Sequence, residues 1–226
     1  SVEFCGDALN KISISERITL SNLSAEMGAK NGYFPPDKET REWLTMRTNE
    51  NYTEIFPDPN ANYEKVLRYD LRKIEPVIAF PHTVDNVKKI EFASGMEFHQ
   101  ALLGTCTNGR LDDLEIAAKV LKGRKISDKI RLLVFPASVE VFRNALDNGT
   151  IKILSDAGAV IMNPGCGPCL GAHEGALAPG EVCLSTSNRN FKGRMGCKEA
   201  EVFLASPATV AVSAIRGVIT DPRELL

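Results

Sequence analysis

Three cysteines lie in short glycine-containing segments that are typical of loops. Cys166 and Cys169 form the sequence CGPC, and Cys106 lies in the sequence GTCTNGR. Two thiolates at this spacing can bind one metal centre or form a redox dithiol. A third loop cysteine favours a metal cluster, because three thiolates on a 4Fe–4S cube leave one iron free to act as a Lewis acid. The pattern therefore predicts chemistry on an oxygen-bearing ligand.

The CGPC sequence has a second interpretation, because it is identical to the thioredoxin active-site tetrapeptide. A thiol–disulfide redox protein that uses only Cys166 and Cys169 is therefore an alternative of another class. Against it, no aromatic residue precedes Cys166, and the single tryptophan lies far upstream. Two inert buried cysteines are a third interpretation. Of the other cysteines, Cys183 is predicted to be a core residue of a strand, whereas Cys5 and Cys197 have no assigned role.

A polar segment over residues 185–194, STSNRNFKGR, carries the arginines Arg189 and Arg194. Guanidinium groups bind carboxylates through two parallel hydrogen bonds, which a lysine does not reproduce. The segment is therefore a candidate site for acidic substrates, with a solvated basic loop as the alternative.

Asn22 and Glu26 are four residues apart in a predicted helix, so they are expected on one face. A plain polar helix surface is the alternative for this pair. The three histidines, His82, His99 and His173, are interpreted as structural or surface residues rather than ligands.

From about residue 75, short apolar runs alternate with helical patterns, which is typical of a parallel, doubly wound α/β sheet. Ligands of such sheets bind beyond the carboxyl ends of the strands. Cys106 and the CGPC sequence each follow a predicted strand, so we expect both at this edge. The predicted strands are 77–80, 101–105, 130–135, 159–162 and 182–186, and the predicted helices are 112–122, 139–147 and 207–216.

The first part of the chain is predicted to contain a helix over residues 14–30. Ser13 and Glu16 have the spacing of a capping box, and Asn31-Gly32 is the predicted stop. A shorter helix is expected over 39–46, and the polar residues 48–62 are the predicted linker.

Composition excludes several classes of protein. The 226 residues are 43% hydrophobic and 25% charged, with a net charge of −2, so the chain is neither disordered nor a small disulfide scaffold. The near-zero charge argues against general binding to nucleic acid or to anionic membranes. No apolar run approaches the roughly 18 residues of a membrane span, and no leader opens the chain. We therefore expect a cytoplasmic protein without nucleic-acid or membrane partners.

Taken together, GTCTNGR, PGCGPCLGAHEG and STSNRNFKGR resemble the aconitase superfamily, and within it the large subunits of 3-isopropylmalate dehydratase and homoaconitase. The resemblance also covers SERITLSNLSAEMGAKNGYFPPD near the start. It implies an aconitase-like, three-layer α/β/α fold with a mostly parallel sheet, here truncated. Residues 1–74 would be a remnant of the preceding α/β domain plus a linker, and residues 75–226 would be the cluster-binding α/β domain.

The resemblance also implies a role for each candidate residue. A 4Fe–4S cluster would be held by Cys106, Cys166 and Cys169. Substrate carboxylates would be bound by Arg189 and Arg194, hydrogen bonds near the cluster would come from Asn22 and Asn188, and Glu26 would be catalytic, beside the substrate hydroxyl. The reaction would be the reversible dehydration and rehydration of a hydroxy-acid in leucine biosynthesis.

The family also has parts that this sequence does not show. Its large subunits begin with a domain that carries catalytic histidine and aspartate residues, and its proton-abstracting serine lies on a swivelling domain or small subunit. We therefore expect a heterodimer or heterotetramer with a small subunit, and a chain that alone is catalytically incomplete and prone to lose its cluster. An RNA-binding role, known in one branch of the superfamily, is disfavoured by the charge.

Overall fold

The computed structural model describes residues 1–225, which form two compact units. The first unit is Ser1–Ile74, and the second begins at Glu75. Among the described residues, no helix is both long enough and apolar enough to cross a membrane.

The first unit contains two helices and one short parallel strand pair. Its elements are β1 (Val2–Glu3), α1 (Ile14–Leu23), β2 (Gly32–Tyr33) and α2 (Lys38–Thr45), with 3-10 helices at Asp7–Lys11, Ser24–Met27 and Leu71–Lys73. Strand β1 pairs with β2. The predicted linker 48–62 contains neither helix nor strand.

Helix α1 begins as predicted but ends earlier. The Ser13 hydroxyl accepts a hydrogen bond from the Glu16 amide at 3.3 Å, and the Glu16 carboxylate accepts one from the Ser13 amide at 2.7 Å, which confirms the capping box. The predicted end at residue 30 is wrong, because the α-helix ends at Leu23. The buried hydroxyl of Ser24 donates to the carbonyl four residues back at 3.0 Å, and Gly28 has a φ of 78°, which ends the helical run.

A buried ion pair connects the two helices of the first unit. Arg17 is 4% exposed and donates to both carboxylate oxygens of Asp37, at 2.9 and 2.7 Å. Its remaining hydrogens are donated to the carbonyls of Ile12 at 3.1 Å and Leu9 at 2.8 Å and to the Thr40 hydroxyl at 3.2 Å. The hydrogen bonds from Arg17 hold the pKa of Asp37 well below its usual range. No hydrophobic side chain of residues 1–74 is buried; Arg17 and Ser24 are the buried residues of the unit, and Asp37 is 33% exposed.

The second unit is built on a seven-stranded sheet in the order β4-β3-β9-β8-β5-β6-β7. Its elements are β3 (Val77–Ala79), β4 (Val87–Lys89), β5 (Gln100–Gly104), α3 (Leu111–Leu121), β6 (Arg131–Phe135), α4 (Val139–Asp147), α5 (Thr150–Ala157), β7 (Val160–Ile161), β8 (Val182–Ser185), β9 (Glu201–Leu204) and α6 (Pro207–Arg216). Strands β9, β8, β5, β6 and β7 are parallel, and β3 is antiparallel to both β9 and β4. The mostly parallel α/β sheet is therefore confirmed.

Alternation along the strands separates two apolar clusters. On β5, Leu103 belongs to the larger cluster, which also contains the buried residues of α3 to α6, whereas Leu102 belongs to the smaller one. We call these sides the helix-covered face and the loop-covered face. The buried members of the smaller cluster are Leu102, Leu133, Phe135, Leu177, Cys183, Met195, Ala200 and Val202. None of these eight lies in a helix, so irregular segments close the loop-covered face.

Candidate active site at the carboxyl edge of the sheet

Three loops that carry candidate residues follow parallel strands of the sheet. Residues 105–110, the Cys106 loop, follow β5; residues 162–171, the CGPC segment, follow β7; and residues 186–196, the arginine loop, follow β8. Carboxyl ends of parallel strands lie at one edge of a sheet, so the loops start from the same edge, as the sequence predicted.

Hydrogen bonds join the Cys106 loop to the arginine loop. The Asn108 side-chain amide donates to the Asn188 side-chain oxygen at 2.8 Å and also to the carbonyl of Thr186. The Thr186 hydroxyl donates to the carbonyl of Gly104 at 2.7 Å and accepts from its amide at 2.9 Å. Sequence reasoning missed the roles of Asn108 and Thr186. Their position just beyond the neighbouring strands β5 and β8 was the available signal.

The arginine loop also contacts the CGPC segment. Arg194 Nη2 lies 4.0 Å from Cys169 Sγ, at hydrogen-bonding distance for sulfur. Gly171 lies two residues after Cys169. A Cβ built on it would be 2.6 Å from the backbone nitrogen of Gly196, so the backbones of the CGPC segment and the arginine loop are in direct contact. The Nε of Arg194 is buried and has no hydrogen-bond partner among the described residues. An unsatisfied buried donor is unusual in folded proteins and is consistent with a group that awaits a ligand.

Asn190 anchors the arginine loop to the sheet. Its side chain is fully buried and donates to the carbonyls of Phe80 at 2.8 Å and Val202 at 3.2 Å. These carbonyls belong to the β3 and β9 sides of the sheet, whose pairing comprises one residue pair. The anchored residue lies directly beside Arg189, which is half-buried.

All six cysteines are free thiols. Cys106 and Cys166 are exposed, and Cys169 is half-buried. Cys183 is fully buried in β8, which confirms it as a core residue, and burial raises the pKa of its thiol to about 12. The candidate ligands are therefore the accessible thiols of this edge, and Cys183 is a hydrophobic filler.

Within residues 1–225, no three histidine, cysteine, aspartate or glutamate side chains lie close enough to hold one metal ion. The donor chemistry nevertheless suits an iron–sulfur cluster, since three free thiols lie on two loops of one sheet edge. The backbones of Gly104 and Gly167, close to these thiols, lie directly against Phe135, so neither position has room for a side chain. The residues therefore fit the cluster in kind, although the described chain does not gather them into one ligand set.

Asn22 and Glu26 belong to the first unit. Asn22 lies in the last turn of α1 and Glu26 in the following 3-10 helix, so the prediction that both lie on one α-helix is wrong. The reason is the early end of α1, because the α-helical spacing does not continue past Leu23. Both side chains are half-buried, and each has an interaction partner.

The histidines fit the interpretation as structural or surface residues. His99 Nδ1 accepts a hydrogen bond from the Val182 amide at 3.0 Å, and the backbone of His82 pairs with that of Phe191. His173 is exposed in the turn that follows the CGPC segment.

Comparison with known proteins supplies a second line of support. The sequence profile of the aconitase family (aconitate hydratase) matches residues 1–100 and 93–217. The chain is 51% identical to 3-isopropylmalate dehydratase large subunit 2 of Archaeoglobus fulgidus, over 100% of this chain and 55% of that protein. It is 52% identical to the probable methanogen homoaconitase large subunit of Methanosarcina mazei, over 100% and 57%. The 3-isopropylmalate dehydratase large subunit of Clostridium kluyveri is 45% identical, over 100% and 54%. The chain thus spans about half the length of the curated relatives it matches.

Proposed function

Because the chain belongs to the aconitase family, we propose that it forms the cluster-bearing part of the large subunit of a 4Fe–4S hydro-lyase. The reaction is the reversible dehydration and rehydration of a malate-type acid, which moves a hydroxyl group to the neighbouring carbon. The observation that carries this proposal is the direct bonding among three loops. Asn108 joins the Cys106 loop to the arginine loop, and Arg194 joins the arginine loop to Cys169.

We assign Cys106, Cys166 and Cys169 as the cluster ligands. When bound, the cluster supplies a Lewis-acid iron that polarises the substrate hydroxyl. Asn188, whose side-chain oxygen already accepts from Asn108 at 2.8 Å, hydrogen-bonds near the cluster, and Asn22 has the same role. Exposure of Cys106 and Cys166 leaves these thiols open to assembly of the cluster.

Arg189 and Arg194 bind the substrate carboxylates. Removal of a proton from the carbon beside a carboxylate builds negative charge on that carboxylate, and fixed guanidinium groups stabilise the charge where it develops. The Asn190 anchor fixes the backbone directly after Arg189, and the contact with Cys169 orients Arg194. Glu26 transfers the proton that the departing hydroxyl requires.

The substrate that we propose is 3-isopropylmalate, in leucine biosynthesis. Two of the relatives described above are named 3-isopropylmalate dehydratase large subunits, and a third is named for homoaconitase, which is the alternative substrate class. The same names support a small subunit as partner, which would carry the swivelling domain and the proton-abstracting serine. We place the assembly in the cytoplasm.

Anaerobic iron–sulfur reconstitution of the full chain tests the cluster assignment. We expect broad visible absorbance and bound iron in the parent chain, and loss of both in Cys106→Ser, because one of three ligands is removed. Cys5→Ser is the matched control, since Cys5 is an exposed free thiol of the first unit. If the CGPC pair is instead a redox dithiol, Cys106→Ser should leave its reduction potential unchanged. That result, together with no bound iron in any variant, would refute the hydro-lyase proposal.

A further inference from the structure

Phe135, the last residue of β6, lies between the two loops that carry the thiols. It is 1% exposed and belongs to the loop-covered face. Strand β6 pairs with β5, which leads into the Cys106 loop, and with β7, which leads into the CGPC segment. The residue is therefore placed where both loops begin.

The backbone of Phe135 is in close contact with the Cys106 loop. A Cβ built on Gly104 would lie 2.3 Å from the Phe135 carbonyl oxygen and 3.0 Å from its Cβ. A Cβ built on Gly109 would lie 2.3 Å from the same oxygen. The Ala137 amide donates to the Gly109 carbonyl at 2.8 Å, which fixes the loop against the end of β6. The last residue of β5 and Gly109 of the Cys106 loop thus both pack against Phe135.

The aromatic ring of Phe135 is in equally close contact with the CGPC segment. A Cβ built on Gly167 would lie 2.5, 2.7 and 2.8 Å from the ring atoms Cε1, Cζ and Cδ1. Gly167 is buried and stands between Cys166 and Cys169. The Phe135 ring therefore limits how closely the turn that carries both thiols can approach the sheet.

We infer that Phe135 is a positioning residue whose backbone and ring fix the Cys106 loop and the CGPC segment against the end of β6, and thereby set the separation between Cys106 and the CGPC thiols. This inference rests on the proposed function. Sequence reasoning assigned Phe135 only to a buried strand. A residue that supports metal ligands without touching the metal typically changes metal affinity by about 10- to 100-fold when it is altered.

The test compares Phe135→Leu with Phe203→Leu in the full chain. Phe203 is the matched control, because it is also 1% exposed near the end of a strand but packs on the helix-covered face against Phe80. We expect similar losses of thermal stability. Only Phe135→Leu should lose iron to a chelator faster, by about tenfold or more. Equal rates of iron loss in the two variants would show that Phe135 is an ordinary core residue.

A measurement without iron separates this inference from the proposed function. In the iron-free chain, a short bifunctional thiol reagent should link Cys106 to Cys166, with the yield read by mass spectrometry. Phe135→Leu should lower that yield severalfold, and Phe203→Leu should leave it unchanged. If the parent chain binds no iron but the yields differ as stated, the proposed function fails and the positioning role stands. Equal yields overturn the positioning role whatever the iron content.

The single variant Gly167→Ala keeps the inference testable if Phe135→Leu folds poorly, and a double-mutant cycle tests the direct contact where both variants fold. Gly167→Ala should change the yield of the Cys106–Cys166 link in the parent chain, because the alanine methyl group would clash with the Phe135 ring. In Phe135→Leu the ring atoms are absent, so the same change should have a smaller effect. The strain of alanine at the φ of 52° is common to both backgrounds and cancels. Strictly additive effects would contradict direct contact between the two positions.

Discussion

The burial and hydrogen bonding of single side chains determine which groups at the carboxyl edge are candidates for binding a substrate carboxylate. Arg189 is half-buried and adjacent to the anchored Asn190, and Arg194 has a buried Nε without a hydrogen-bond partner among the described residues. A guanidinium held in this way offers two parallel donors to a carboxylate. A lysine at the same place offers a point charge on a flexible stem.

If the proposed function holds, Arg189→Lys in a full-length large subunit assembled with a small subunit should lower kcat/KM for hydration of the unsaturated acid by about 100-fold. Arg143→Lys is the control, because Arg143 is exposed on α4 and should leave kcat/KM unchanged. Steady-state kinetics measure both variants. A loss below about threefold would argue against carboxylate binding by Arg189.

The thiols should differ sharply in reactivity. Native chain treated with iodoacetamide near neutral pH should be modified at Cys106 and Cys166, which are exposed, and not at Cys183. Burial raises the pKa of Cys183 to about 12, so this thiol is protonated as well as enclosed. Peptide mass spectrometry reads each site. Modification of Cys183 before unfolding would contradict its place in the core.

At the scale of elements, the first unit depends on a charge pair where the second has an apolar core. Arg17 is 4% exposed and bidentate to Asp37, which also begins α2 by accepting the Thr40 amide at 3.0 Å. Removal of one partner from a fully buried pair typically costs about 3–5 kcal/mol, and the cost should be smaller here because Asp37 is 33% exposed. Loss of the Asp37 charge should therefore loosen both helices of the unit.

The folded-state pKa of Asp37 is lowered, chiefly by the hydrogen bonds from Arg17. Its contribution to stability is therefore complete above the unfolded pKa of about 4 and is lost as pH falls through the lower folded pKa. Hydrogen exchange of the α1 amides, measured as pH is lowered from about 5, should show protection declining below about 4. In Asp37→Asn, which retains a helix-capping side chain, this decline should disappear. An identical decline in both chains would assign it to other carboxylates.

The elements also show how far sequence patterns reach. The strands that became β5, β6 and β8 and the helices α3, α4 and α6 were all predicted, because each has an apolar pattern of full length. Helix α5 and strands β4 and β9 were not predicted. Strand β4 is an exposed edge of three residues, and α5 begins directly after the glycine that ends α4, so neither has a distinct signal.

The candidate site was predictable to a similar extent. The motifs and the family resemblance pointed to the thiols and arginines as candidates, and their roles stay predictions. Asn108, Thr186 and Asn190 were not identified, because their roles arise from contacts with neighbouring strands. Asn22 and Glu26 were paired by a helical spacing that α1 does not maintain.

At the scale of the whole molecule, the two units differ in how much hydrophobic surface each one buries within itself. The second unit encloses the large cluster between the sheet and α3 to α6. In the first unit no hydrophobic side chain is buried, and large apolar side chains of residues 52–74 are exposed, including Phe56, Tyr69 and Ile74. Hydrophobic burial is the main driving force of folding, so the two units should differ in autonomy.

Residues 75–226 expressed alone should therefore fold cooperatively, whereas residues 1–74 expressed alone should not. Circular dichroism melting curves of the two fragments measure this. In the full chain, limited proteolysis should cut first between residues 48 and 70, which contain neither helix nor strand. A cooperative transition in the 1–74 fragment would contradict the dependence on burial.

The loop-covered face has a consequence for the lifetime of the protein in a cell. Its apolar residues include Phe135, which packs against Gly167 of the CGPC segment, and Met195, which belongs to the arginine loop itself. If damage to the site detached these segments from the sheet, an apolar surface would be exposed to chaperones and proteases. The integrity of the site is thereby coupled to turnover: a molecule with a damaged site should be degraded before an intact one.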